Sequence, residues 1–261
     1  MSQLTLSTLL HQIGSDKVTG FFLVLARVSP LFVLAPLFSS KMVPARVKGI
    51  VAVGLSIGLT PIAVHGQQIP TDPMAVAGLL VVQVLVGLAF AFAVGMVLAA
   101  IEAAGALTDM VAGFSFGSVI DPINGNQGGT MTNFYSMVGL AMFIAIGGDA
   151  WTLRGLSRTF DLVPLTKAPA IPTLTSGVEQ AFSTIFVSAV EVCAPVLLAL
   201  LITDVAFGMV SRVVPQLNIF GVGFPVKVGV AILVVAASLP FLGAFMTDQI
   251  STAVSTALRF A

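Results

Sequence analysis

Charge is what this chain has least of. Only 8% of its residues are Asp, Glu, Lys or Arg, against about 25% in ordinary soluble domains, too few to coat the surface of a water-soluble chain of this length. The 11 basic and 11 acidic residues balance, which leaves no basic stripe for nucleic acid. Cys193 is the single cysteine, so an internal disulfide and a thiolate metal cluster are both excluded, and a small apolar core residue is the simplest reading. Aromatic anchors of the membrane–water interface are equally scarce, with one Trp (Trp151) and one Tyr (Tyr135). The two histidines, His11 and His65, stand far apart and outside any metal-ligand spacing. Gly-rich phosphate loops, nucleophile elbows and paired cysteines are missing as well. An enzyme is not expected, and no cofactor or metal is called for.

Apolar sequence fills the space. The run from Pro73 to Ile101, between Asp72 and Glu102, holds 29 residues without a charge, more than the roughly 20 that cross a bilayer as helix. Within it Gly87, Ala91, Gly95, Ala99 and, just beyond, Ala103 recur every fourth position. That spacing lays a smooth stripe on one face, where another backbone can approach closely. Five further apolar stretches read as helices on length: Val18–Phe38, Gly49–Val64, Thr130–Ile146, Val178–Met209 and Phe220–Phe245. The first is expected to be a retained span and not a cleaved leader, since no basic cluster precedes it. A polar intermission, Gly148–Gly177, carries Arg154, Arg158, Asp161, Lys167 and the turn-forming Pro164, Pro169 and Pro172, with a short helix expected from Trp151 to Phe160. Prolines 30, 36, 61, 195 and 240 are expected to kink or break their helices. In lipid such breaks persist where protein or a wet cavity satisfies the freed groups, which points to a chain surrounded by other protein. Lys41, Arg46 and Lys48 place the first loop on the cytoplasmic side.

Candidate functional residues follow from these departures. The segment from Gly113 to Gly129 is apolar in its first half yet too short to span, with glycines 113, 117, 125, 128 and 129 and a turn-favouring Asp121-Pro122. It reads either as a connector or as a flexible hydrophobic seal. Glu102 and Asp109, seven residues apart, share a helix face; they form either part of an ion path or a pair of interfacial carboxylates. Arg27 and Lys227 lie inside apolar stretches, where each reaches a carboxylate on a neighbouring subunit or snorkels. Glu191, one turn from Pro195, has the same ambiguity.

Three segments resemble the FliR family of flagellar export-gate proteins, which has relatives in virulence-type type III secretion. They are Ala26–Pro36 with Val43–Lys48, the Gly113–Pro122 loop, and Ser211–Phe220 running into Gly223–Lys227. Ala194–Leu198, Gln216, Asn218 and Phe224–Lys227 further resemble the two arms and bend of FliQ, a small helical hairpin. The resemblance implies an all-α integral membrane protein of kinked hairpins, with a FliP-like part over residues 1–175 and a FliQ-like hairpin with a C-terminal helix over 176–261. It implies a place in the bacterial inner membrane at the flagellar basal body, in a gate with FliP-like, FliQ-like and FlhB-like subunits that passes unfolded export substrates. Gly113, Phe114, Phe116, Gly117, Val119, Ile120, Asp121 and Pro122 then correspond to a plug that seals the pore. Arg212, Pro215, Gln216 and Asn218 shape the hairpin bend, and Arg27, Arg46, Lys48 and Lys227 are candidates for subunit contacts. A secondary transporter or ion channel using Glu102, Asp109 and Glu191 is the rival from another class, and a virulence secretion gate is the alternative within the family.

Overall fold

A computed structural model describes residues 15–35, 37–39, 43–70, 72–114, 129–169, 171–216 and 218–260. Every regular element among them is an α-helix: α1 Ser15–Val28, α2 Leu31–Leu34, α3 Ala45–Val64, α4 Pro73–Ala112, α5 Thr130–Ala145, α6 Gly148–Leu162, α7 Ile171–Val213 and α8 Ile219–Phe260. Five stretches are long and apolar enough to cross a membrane: Lys17–Leu34, Ala45–Val64, Pro73–Ala112, Thr175–Val213 and Gly221–Ser255. The pair α5 and α6 makes a sixth when counted as one broken span. The protein is thus an all-α membrane protein.

Local chemistry explains the helix ends. Asp72 caps α4, its Oδ2 accepting the Ala75 N–H at 2.9 Å, while Pro73 occupies the first turn, where its missing N–H leaves no intrahelical bond unmade. The helix stops at Gly113, whose φ of 88° suits the left-handed residue that closes a helix. Gly147, with φ of 71°, makes the corner between α5 and α6 in the same way. Pro30 marks the break between α1 and α2, as its sequence position suggests.

Of the two outcomes expected at the other described prolines, a kink or a break, a break does not occur. Pro61, Pro195 and Pro240 lie inside α3, α7 and α8, which run on through them, as α8 does through Pro225. Each removes one backbone bond, but ending the helix would free several more polar groups in apolar surroundings. Pro36 lies outside the described residues.

Two compact units divide the chain. One comprises the chain up to Gly95, Gly148–Ala181 and the chain from Ile250 on; the other comprises Met96–Gly147 and Phe182–Gln249. The division read from the sequence at residues 175 and 176 falls inside α7, and both units draw on chain from either side of it. In the first unit α1 packs on α3, and Leu23, Val24, Leu31, Phe90, Leu156 and Leu165 form the buried centre. In the second, Ile101, Phe143, Cys193, Val196, Leu200 and Met246 are buried, so Cys193 is an apolar core residue. Its α7 and α8 arms form an antiparallel hairpin: Asp204 meets Lys227, and Glu191 and Pro195 line a cavity with Ser238 and Phe245. Large apolar side chains nevertheless face outward from α3 (Ile50, Ile57), α7 (Phe186, Leu201) and α8 (Leu233, Phe241).

Candidate functional site

The seal-like segment begins where α4 ends. Gly113 and a half-buried Phe114 are its first residues; Phe116, Gly117, Val119, Ile120, Asp121 and Pro122 lie outside the described residues. What the structure does show is how the two flanking helices are joined. Asp109, one turn before the end of α4, accepts the backbone N–H of Met131 and of Thr132, both at 2.8 Å, and the Thr132 hydroxyl at 2.6 Å. These donors belong to the first turn of α5, whose N–H groups have no partner within the helix. A carboxylate there meets both the free donors and the positive end of the helix dipole. Gly129 is held close by the same contact, since a Cβ on it would overlap the carboxylate. Asp109 is therefore a buried cap between two helices, whereas Glu102 is exposed; the two do not share one environment, despite their spacing.

The small-residue stripe meets protein within the chain. A Cβ at Gly87 would overlap the carbonyl oxygen of Arg27, and one at Gly95 would stand 3.0 Å from that of Leu34. Since Arg27 precedes Leu34 as Gly87 precedes Gly95, α1–α2 and α4 run in the same direction along this seam. Ala91 between them is fully buried, and Ala99 and Ala103 are half-buried.

Arg27 departs from both sequence readings. It is 0% exposed and neither snorkels nor reaches outward. Its Nε donates to Gln83 Oε1 at 2.7 Å, Nη1 to the Thr159 carbonyl at 2.9 Å and to Thr159 Oγ1 at 3.4 Å, and Nη2 to the Val163 carbonyl at 2.9 Å. Its guanidinium carbon lies 4.5 Å from the centre of the Phe160 ring. No carboxylate pairs with it among the described residues. Instead the negative end of α6 does so: Arg27 reaches the Thr159 carbonyl, which also accepts the Val163 N–H, and the Val163 carbonyl just past the helix, and the planar five-donor guanidinium fits several acceptors at once. An aromatic face supplies further attraction.

At the hairpin bend, Arg212, Pro215 and Gln216 are exposed. Asn218 caps α8, its Oδ1 accepting the Gly221 N–H at 3.0 Å. Lys227 forms an ion pair with Asp204 of the facing arm, so the chain itself supplies its anion. Arg46 is exposed, and Lys48 Nζ donates to the Ser39 carbonyl at 2.8 Å. Sequence reasoning missed Gln83, Thr159, Thr132 and Asp204. Gln83 carried a signal, as a lone amide in an uncharged run, where a polar side chain in lipid needs a partner. No group of three or more His, Cys, Asp or Glu is placed to hold a metal ion among the described residues.

Comparison with known proteins adds the following. The model of the family described as bacterial export proteins, family 1, matches residues 18–253. A flagellar biosynthetic protein FliR from Pectobacterium carotovorum is 30% identical over 231 residues, covering 87% of each chain. FliR of Escherichia coli K12 is 29% identical over 86% of each chain. The surface presentation of antigens protein SpaR of Salmonella typhimurium is 26% identical, over 86% of this chain and 83% of its own.

Proposed function

The chain belongs to the bacterial export proteins, family 1, and from that premise we propose that it is a structural and gating subunit of a flagellar type III protein-export gate. It works in the bacterial inner membrane at the flagellar basal body, beside FliP-like, FliQ-like and FlhB-like subunits, and helps to form and seal the passage for unfolded export substrates. It is a scaffold and gate, not an enzyme. The observation that carries this reading is the family match over residues 18–253, shared with relatives named for flagellar biosynthesis.

The physical chemistry of the chain supports it. Apolar side chains face outward from α3, α7 and α8, as suits helices that meet lipid or other subunits. The loop from Gly113 to Pro122 acts as the seal, with its apolar residues excluding hydrated ions and its glycines letting it yield. Asp109 fixes the α4–α5 junction from which that loop departs. An independent ion path through Asp109 finds less support, since its carboxylate is already engaged by three donors.

Native mass spectrometry of tagged chain, purified in mild detergent after co-expression with its membrane partners, tests the proposal. One copy of this chain with several copies of two small membrane subunits is the expected result. A stable monomer or homodimer without partners would overturn it in favour of a transporter.

A further inference from the structure

Within the second unit, α5, α7 and α8 border a cavity of about 170 Å³ whose lining includes Tyr135, Glu191, Pro195, Ser238, Phe241 and Phe245, several times the ~30 Å³ that one water occupies in the liquid. Two of its polar groups are without partners among the described residues. The Tyr135 hydroxyl belongs to a side chain only 2% exposed and meets no partner in good hydrogen-bond geometry among the described residues. Its neighbours Thr108 and Ser238 direct their own hydroxyls at the carbonyls of Ala104 and Val235, both at 2.9 Å. Glu191 is exposed, and no ion pair reaches it among the described residues. Pro195 adds a third acceptor: it has no N–H, so the Glu191 carbonyl one turn earlier loses its helical donor. The rest of the lining is apolar.

We propose that this cavity is a socket for a lysine or arginine side chain from a helix of a partner membrane subunit. The chemistry is complementary. A carboxylate, a free carbonyl and an unbonded phenol call for a group with several N–H donors, and an ammonium has three while a guanidinium has five. The apolar walls fit the methylene stem that carries such a group. Position favours one source. Glu191 lies near the middle of the 43-residue α7 and inside its apolar stretch Thr175–Val213, where a neighbouring protein helix supplies a cation more readily than a lipid headgroup does. A metal ion is a poorer fit, because no cluster of three or more ligating side chains gathers here among the described residues. An ionisable residue in such a stretch faces a partner or a wet cavity, and no cation of the chain pairs with it among the described residues.

This inference rests on the export-gate reading in that it requires partner helices. The test replaces Phe241, an exposed residue of the cavity rim, with a photo-crosslinking phenylalanine analogue in the co-purified complex, and compares the parent with E191Q and E191K. Crosslinking to a partner peptide with Lys or Arg within a turn of the attachment point is expected. Partner recovery should fall by at least about tenfold in E191K, less in E191Q and Y135F, and return when the crosslinked partner's basic residue is changed to Glu. E191Q, nearly isosteric and expected to retain the fold, separates loss of the charge from misfolding. Partners recovered with the parent and undiminished in both Glu191 variants, or crosslinks to lipid or to a segment without a basic residue, would overturn the socket alone. A parent chain recovered with no partner would overturn the export-gate reading and the socket together.

Discussion

Gln83 joins Arg27 to the chain beyond α6: its Oε1 receives the guanidinium Nε at 2.7 Å, and its Nε2 donates to the Leu165 carbonyl at 3.0 Å. Replacing Arg27 with methionine keeps the stem but takes their guanidinium donors from Gln83 Oε1 and the Val163 carbonyl, and leaves the Thr159 carbonyl only the Val163 N–H. A loss of about 3 kcal/mol or more is expected, read as a lowered unfolding temperature of the purified protein in detergent. R27K should fall between, because an ammonium cannot fork towards the same set of acceptors.

Asp109→Ala removes the cap of α5. The expected effect is about 2 kcal/mol, the upper end for a helix cap, confined to the start of the helix. Hydrogen exchange at the Met131 and Thr132 amides should quicken by roughly 30-fold, while exchange in the middle of α7 stays unchanged.

Glycines on α4 make an internal control. G87A forces a methyl group onto the Arg27 carbonyl and should lower stability by about 1–3 kcal/mol; G95A, with the Leu34 carbonyl at 3.0 Å, should do less. Gly78, on the same helix with nothing within 4 Å, should accept alanine with a gain of up to about 1 kcal/mol. Thermal unfolding of the three variants side by side checks the ranking.

The Lys227–Asp204 pair is partly solvated, with side chains 26% and 43% exposed. Its coupling in a double-mutant cycle with K227M and D204N is expected to be no more than about 1 kcal/mol and to shrink with added salt.

Shortening the loop between Gly113 and Pro122 should leave the assembly intact and make membranes leaky to small ions. Conductance or dye-release measurements on vesicles containing the assembled variant check this; leakage no greater than that of the parent would remove the seal assignment.

Much of the fold was legible because lipid-compatible helices announce themselves locally. The uncharged run after Asp72 became α4, and the short helix expected at Trp151–Phe160 became α6 with a few residues added at each end. Helix ends were less legible: α8 continues past Phe245 to Phe260, since a polar sequence without Gly or Pro keeps its helical geometry after the apolar signal ends. The candidate site was legible in its residue types and not in their partners. Arg27 was conspicuous, but its acceptors stand 56, 132 and 136 residues away, and no periodicity connects such distances. Asp109 looked like half of an acidic pair because Glu102 shares its face; its real partners, 22 and 23 residues on, lie beyond the loop.

The Arg27 contacts also set an order of events in biosynthesis. The arginine reaches the membrane with α1, but its acceptor at Val163 is 136 residues further along the chain, which at about 5–20 residues per second takes the ribosome roughly 7–27 s to make. Through that interval the first helix carries a charge worth about 2.5–3.5 kcal/mol against burial at a helix centre. Secure seating of the first span therefore waits on synthesis of more than half the protein, and a chain truncated before α6 should fail at its beginning as well as at its end.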